Sequence, residues 1–307
     1  MTAVVAQDLA QFEDYRTELR GYCYRMLGSI FDADDAVQET LVKAWQKADS
    51  FEGRSSVRSW LYRIATNVCL DSLRSRGRRA MPMDLSSPVS AKTPPGEQYA
   101  DSFWVEPAPL ADVADQVAQQ DTVRLAFVAA LQHLPPRQRA VLILREVLCW
   151  QASEVAELLD TTVASVNSAL QRARATLGTV DLSAGEPLTS TDRELLSRYV
   201  AAFEAYDISS LVHLLHEDAS ISMPPYAMWL QGRPELRDWY LGFGVGCKGS
   251  RLIQVSDTVF GQYRADPAGG HAPWSLQVVE LSRGRVQHVH HFLDTTLFRR
   301  FGLPEHL

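Results

Sequence analysis

The sequence predicts a multidomain chain in which two all-α helical domains precede an α+β cone. Three observations predict it. Apolar residues recur at helical spacing through residues 8–80 and again through 117–178. Two aperiodic stretches rich in Pro, Ser and acids, 81–116 and 179–191, interrupt that period and read as linkers. In the last domain, 192–307, a helical segment at 192–210 gives way to apolar–polar alternation typical of strands. A length of 307 residues with 46% hydrophobic content suits two or three domains, each with an ordinary core.

The first helix is carried by Leu9, Phe12, Tyr15, Leu19, Tyr22 and Met26 at spacings of three and four. A second helix is expected from about Asp32 to Ala48, with Asp32, Asp34 and Asp35 favourable at its positive end. At ~100° per residue, Val37, Leu41, Ala44 and Ala48 share one face and Asp35, Glu39, Val42 and Gln46 the other. That second face reads either as a tolerated exposed Val or as a protein-docking surface. The third helix lies in the run Arg54–Arg79, which holds seven arginines and one acid in a chain of net charge -7. Such a confined positive field suits phosphates, or is the positive end of a solvated helix. Its apolar stripe is Val57, Trp60, Leu61, Ile64 and Val68, while Arg63, Asn67 and Arg74 gather on a different side. Two guanidiniums and an amide on one side can grip phosphate and read a base edge. The preceding FEGRSS is an ordinary capped turn or a loop able to hold an extruded base.

The second helical domain opens with a helix at 121–134 stopped by Pro135-Pro136, followed by another from Arg137 to Leu148. Then come Ser153–Leu159, a turn at Asp160-Thr161-Thr162, and a helix from Val163 to about Leu177. Two short helices around a three-residue turn form a helix-turn-helix pattern, which also occurs as a plain packing unit. Val166, Leu170, Ala173 and Leu177 make the buried stripe of the last helix. Ser168, Gln171 and Arg172 lie opposite, flanked by Ser165, Asn167 and Arg174. Small residues let such a helix sit deep in a major groove, where Gln and Arg read adenine and guanine edges.

In the last domain the strands are expected in SRLIQVSDTVFGQYRA, PWSLQVVELS and RVQHVHHFLD, with a further helix in GRPELRDWYLGF. Helices followed by a curved antiparallel sheet make an α+β cone. A pocket in it would draw on Tyr226, Trp229, His288, His290 and Asp294. His288 and His290 share one strand face and His291 takes the other, and a third metal ligand is not evident.

Composition removes several classes. No apolar run approaches the ~18–20 residues that span a bilayer. The N-terminal MTAVVAQDLAQFEDYRTE has no positively charged start before an apolar stretch, so it does not read as a signal peptide. Cys23, Cys69, Cys149 and Cys247 form no CxxC pair and read as free buried thiols of a reduced cytoplasm. No cofactor, metal or membrane partner is expected.

These segments together resemble a known family. YCYRMLGSIFDADDAVQETLVKAWQKADSFEGRSSVRSWLYRIATNVCLDSLRSRGRR is similar to region 2 of sigma-70-type RNA polymerase sigma factors. LPPRQRAVLILREVLCWQASEVAELLDTTVASVNSALQRARATL is similar to region 4. With these two regions alone, the chain resembles an extracytoplasmic-function (group IV) sigma factor. The resemblance implies core RNA polymerase and promoter DNA as partners. It implies that Asp32, Asp35, Gln38, Glu39, Val42 and Gln46 dock on the β′ clamp helices, with region 4 meeting the β flap. It implies −10 contacts by Arg54, Ser55, Ser56, Arg58, Trp60, Arg63, Asn67, Arg74 and Arg76. It implies −35 contacts by Ser165, Asn167, Ser168, Gln171, Arg172 and Arg174. Family members often carry basic residues where this chain has Asn167 and Ala169, which implies weaker −35 phosphate contacts or a different −35 sequence. The acidic linker corresponds to the segment that threads the polymerase's RNA-exit path. The last domain resembles the SnoaL-like/NTF2-like superfamily, which implies a regulatory module that binds a small apolar ligand or packs on the sigma domains. The alternatives are a SnoaL-like isomerase or cyclase fused to a DNA-targeting module, and a stand-alone helix-turn-helix regulator.

Overall fold

The computed structural model describes residues 12–51, 53, 55–109, 125–178 and 188–307. Arg54, the start of the expected first helix at Leu9, and linker residues 110–116 and 179–187 lie outside the described residues. The chain forms two compact units, one of residues 1–79 and 105–185, the other of 80–104 and 186–307.

In the first unit, α1 (Arg16–Leu27), α2 (Ile30–Gln46) and α3 (Val57–Ser75) pack through the apolar stripes expected of them. Leu19, Tyr22 and Met26 of α1, Ile30, Val37 and Ala44 of α2, and Leu61, Ala65 and Val68 of α3 are all buried where the three helices pack. Tyr22 buries its hydroxyl there by bonding Thr66 Oγ1 at 2.7 Å, and Thr66 in turn donates to Tyr62 O. Helix α2 starts earlier than the aspartates suggested, because Ser29 accepts the Asp32 N–H at 3.3 Å and so caps it. The turn between α1 and α2 needs Gly28: its φ is +75°, and a Cβ would stand 3.1 Å from the Gln132 side chain.

Gln132 ends α4 (Leu125–Gln132), which with α5 (Pro136–Leu142) packs on α1 and α3 in the same unit. Arg139 of α5 is buried and donates to Met26 O, to Gln132 Oε1 at 2.6 Å and to Leu134 O at 3.2 Å. Burial lowers its pKa to about 10, and its two terminal nitrogens are held by these acceptors and by Gln132 O, while Nε is buried without a partner. The helix expected to run to Leu148 instead loosens into a π-turn at Ile143–Val147. Cys149 follows at φ +56° and is exposed, so it is not the buried thiol expected; Cys23, Cys69 and Cys247 are buried. Then come α6 (Ala152–Leu158) and α7 (Val163–Leu177), joined by the expected turn with Asp160 at φ +51°.

The second unit places α8 (Ser190–Glu204), α9 (Ile208–Leu214) and α10 (Arg233–Leu241) on one face of a six-stranded sheet. Its strands are β1 (Leu215–Ser222), β2 (Trp229–Gln231), β3 (Arg251–Ser256), β4 (Val259–Ala265), β5 (His271–Ser282) and β6 (Arg285–Phe292), in the order β2-β1-β6-β5-β4-β3. A short α11 (Thr296–Arg300) ends the domain. The α+β architecture is as expected, but the sheet is mixed: β1 pairs parallel to β6. Alternation within a strand cannot reveal that, because strand direction depends on the connection and not on the period.

The Pro/Ser-rich stretch divides where composition showed one linker. Residues 80–104 belong to the second unit, and 105–109 to the first. Val89 N–H donates to Trp229 O at 2.9 Å, Tyr99 N–H to Pro225 O at 2.9 Å, and Ala91 N–H to Glu235 Oε2 at 2.6 Å. β2 is a sheet edge with no strand beyond it among the described residues, and the Val89 N–H supplies one partner to it, at Trp229 O. In the first unit, Glu106 N–H donates to Gly28 O at 2.9 Å and Tyr24 OH to Glu106 O at 2.7 Å.

Candidate nucleic-acid interface

Three surfaces carry the candidate residues. On α2, Asp35, Gln38, Glu39, Val42 and Gln46 are all exposed along one stripe. Glu39 pairs with Lys43 one turn on, at 2.6 Å, in an exposed and therefore weak bridge. Trp45 also lies on this stripe, 52% exposed beside Val42 at 39%, and adds to the expected docking residues. Its signal is present in the sequence: position 45 is three residues beyond Val42, hence on the same side. Asp32 departs from the group. It is half-buried and paired to Arg76 and, at 2.6 Å, to buried Arg79. Burial alone would raise its pKa, but the two guanidiniums outweigh that and lower it. Asp32 and Arg76 thus hold the end of α3 to the start of α2.

On α3, Arg63 and Asn67 are exposed with no ion pair among the described residues, and Arg74 is exposed with only Asp71 at 2.7 Å. The three therefore present an accessible polar side, as their rotation implied. Ser56 starts the helix by accepting the Ser59 N–H at 3.1 Å, while Ser55 lies in the half-buried approach. Trp60 packs between Phe12 and Phe51, with ring centroids 5.8 and 4.9 Å away. Arg58 is engaged by Glu18 at 3.0 Å and lies between the Tyr62 and Trp150 rings, 5.4 and 5.3 Å from their centroids. The apolar period marks both Phe12 and Trp60, but not that their rings meet.

On α7, Ser165, Asn167, Ser168, Gln171, Arg172 and Arg174 sit opposite buried Val166, Leu170 and Ala173, and all six are exposed. Thr162 caps the helix by accepting the Ser165 N–H at 3.2 Å. Arg172 rests on Ser168 Oγ at 2.7 Å, an arrangement that water or a base edge can replace. Arg174 is braced by Glu146 at 2.6 Å.

In the second unit the expected pocket residues divide: Trp229, His288 and His290 share one sheet face by register, and Tyr226 and Asp294 stand apart from them. Asp294 accepts from Thr296 N–H at 2.9 Å and Thr296 Oγ1 at 2.6 Å, which makes it a turn-forming residue before α11. Tyr226 OH accepts from Gln98 Nε2 at 2.8 Å and Trp229 Nε1 donates to Ser86 O at 2.8 Å, so both face the 80–104 segment. His288 and His290 share Nδ1 hydrogen bonds with Ser220 and Ser222 Oγ, 2.7 Å each, on the sheet face turned away from α8 to α10. The helix-covered face holds a different polar set. Tyr199 donates to Gln277 Oε1 at 2.9 Å, Gln277 to Gln262 Oε1 at 3.0 Å, and Gln262 to Ser250 Oγ at 3.0 Å. His291 stands beside Ser275 at 3.4 Å on this face. Burial depresses His290 to about 4 and His291 to about 3. Single polar residues inside strands do not announce such a network, because only the cross-strand register brings them together. No group of three metal-ligating side chains occurs among the described residues.

Comparison with known proteins agrees with this layout. The Sigma-70 region 2 family model matches residues 11–79, and the Sigma-70, region 4 model matches 124–177. The ECF RNA polymerase sigma factor SigG of Mycobacterium tuberculosis is 46% identical over 97% of this chain and 84% of its own length. The ECF RNA polymerase sigma factor SigJ of the same organism is 28% identical, over 85% of this chain and 82% of its own. The crystal structure of M. tuberculosis SigJ has a similar fold, with a TM-score of 0.66 at 21% identity over 96% of this chain and 99% of that one.

Proposed function

The chain belongs to the extracytoplasmic-function RNA polymerase sigma factors, and from that premise we propose how its surfaces divide the work of transcription initiation. The α2 stripe Asp35–Gln38–Glu39–Val42–Trp45–Gln46 docks on the clamp helices of core polymerase. The accessible side of α3, with Arg63, Asn67 and Arg74, meets the −10 element as it opens. The exposed side of α7, led by Gln171 and Arg172, reads the −35 element in the major groove. The chain works in the cytoplasm, where the polymerase is. One observation carries the reading: both expected DNA-facing sides are solvent-exposed, while the apolar sides of the same helices are buried.

The second unit serves as a regulatory module in this proposal and is assigned no reaction. Support comes from the polar residues on its helix-covered face, which are hydrogen-bonded to one another, and from its hold on residues 80–104.

The test is transcription from a fragmented genomic template by purified core polymerase with this chain, reading the 5′ ends of the RNA. New start sites sharing upstream −10 and −35 sequences are expected, absent without the chain; no new start sites would end the proposal. Gln171→Ala and Arg172→Ala should each cost about 1–3 kcal/mol at one −35 base. The start-site set should then lose its preference at that base and keep its −10 sequence. Arg174→Ala, braced by Glu146, is expected to weaken promoters uniformly instead.

A further inference from the structure

The segment from Leu241 to Gly246, at the end of α10, alternates large apolar residues with glycines. Leu241, Phe243 and Val245 are 60%, 51% and 56% exposed. Gly242, Gly244 and Gly246 press on the domain. A Cβ would stand 3.1 Å from Asp238 O at Gly242, 2.9 Å from Trp239 O at Gly244 and 3.1 Å from Arg264 Nη1 at Gly246. The inward positions therefore have no room for a side chain, and the large apolar groups occupy the positions that face water. Phe243 is also seated on the buried Trp239 ring, 5.5 Å between centroids. The turn Phe243–Cys247 is thus held flat with its apolar groups outward, which scattered exposure of single residues does not require.

The rim of this tip is cationic. The Arg264 guanidinium lies against Gly246 and stacks on Trp274, 3.4 Å from the ring centroid, and the indole is part exposed. Lys248 follows the turn and is exposed. Neither Lys248 nor Arg264 makes an ion pair among the described residues. The neighbouring acids are engaged elsewhere: Asp238 meets Arg237 at 3.0 Å, and Glu204 faces Arg251 at 3.9 Å. No acid occurs from 239 to 256, in a chain of net charge -7.

These features select one kind of occupant. An apolar tip ringed by cations, with a tryptophan at its margin, suits the headgroup region of an anionic lipid layer. A second copy of the same face would set Lys248 and Arg264 against their like. An apolar groove on another protein has no use for unpaired cations. No helix among the described residues is long and apolar enough to cross a membrane, so the contact is peripheral. Composition alone gave no sign of it, because only the glycine contacts reveal which way the apolar groups face.

We infer that the Leu241–Phe243–Val245 tip docks the C-terminal unit on an anionic lipid surface, the three side chains entering the interface while Lys248 and Arg264 meet phosphates. Lipid binding then lowers, by mass action, the amount of chain free in solution. The inference does not rest on the assignment of the DNA-facing helices.

The experiment uses the full chain and vesicles of phosphatidylcholine, either alone or equimolar with phosphatidylglycerol. In flotation the chain should bind the mixed vesicles at least about ten-fold better than the neutral ones. Phe243→Ser with Val245→Ser should weaken that binding at least about ten-fold. Phe243→Leu with Val245→Ile keeps the tip apolar and should bind as the parent does. Lys248→Gln should cost about five-fold, a difference that vanishes at high salt. The altered side chains are exposed, so thermal melts of these variants should match the parent's. Val245→Cys in a Cys149→Ser background, which removes the exposed native thiol, carries a polarity-sensitive fluorophore. Its emission should shift to the blue on the mixed vesicles. No flotation with mixed vesicles, or flotation unchanged by the serine pair, overturns the inference. Flotation without a blue shift overturns it too, since that marks adsorption by charge alone. Self-association in sedimentation velocity that the serine pair abolishes, with no vesicle binding, assigns the tip to a second copy instead and overturns the lipid reading.

Discussion

Reversing Asp35 and Glu39 to lysine and shortening Trp45 to alanine is expected to abolish core-dependent transcription while the protein stays folded. All three side chains are exposed on the α2 stripe, away from the core residues Ile30, Ala33, Val37 and Ala44. Among the described residues the only ion pair they make is that of Glu39 with Lys43, bridged in solvent, so the expected stability change is at most about 0.5 kcal/mol. At an interface the balance reverses. A central tryptophan commonly carries about 2 kcal/mol or more, roughly 30-fold in affinity, and two like-charge juxtapositions cost several more. Titration of core polymerase with labelled protein, alongside a thermal melt, reads both quantities. A triple variant that still binds core as the parent does would remove α2 as the docking surface. Asp32→Lys is the instructive contrast. Its carboxylate holds Arg76 and Arg79, so that change should lower stability directly and report nothing about docking. The stability contributed by the Asp32 pairs is present at neutral pH and lost only as pH falls through its lowered pKa, below the ordinary carboxylate range.

The second large effect is acid lability of the C-terminal unit. His290 and His291 are buried on opposite faces of β6, and burial is the main reason their pKa values fall to about 4 and about 3. The unfolded chain takes protons at about pH 6.5, where the folded one does not. Stability is therefore full above about pH 6.5 and declines as pH falls toward the two folded values. Between about pH 7 and about pH 5 each histidine withdraws about 2 kcal/mol. For a domain of this size the pair should lower Tm by at least about 10 °C. Calorimetry at the two pH values checks it, reading the difference and not the absolute Tm. In a His290→Gln, His291→Gln variant the difference should shrink by more than half; a difference as large as in the parent would place the acid sensitivity elsewhere. Glu280 lies 4.0 Å from His290 Nε2 and partly offsets the burial, so Glu280→Gln should extend the decline to lower pH.

Much of the helical half was legible because its rules are local. A period of 3.6 placed Val37, Ala44, Leu61, Val68, Val166 and Ala173 inward and Asp35, Arg63, Asn67, Gln171 and Arg172 outward. What failed there failed for one reason. Asp32, Arg58 and Arg76 looked like the other surface charges, yet Arg58 meets Glu18 across 40 residues of chain and Arg76 meets Asp32 across 44. Trp150 carries no such signal either, since nothing near it in sequence shows that its ring meets Tyr62.

The C-terminal unit was legible as α+β and no further. Strand period put His288 and His290 on one face and His291 on the other, as found. Which face the helices cover depends on the connections and on the parallel β1–β6 pair, and it turned the expected histidines away from that face. Asp294 is a turn residue for a local reason, its bonds to Thr296 two residues on.

By itself the sequence determined the helical domains, their inward and outward faces and their order, because these follow from periodicity, capping and turn chemistry within a few residues. The tertiary structure alone decided which charges are paired, where residues 80–104 lie, and that Trp150 closes over Arg58. Those outcomes depend on groups brought together across long stretches of chain, where the energy of a side chain is set by the neighbour it meets.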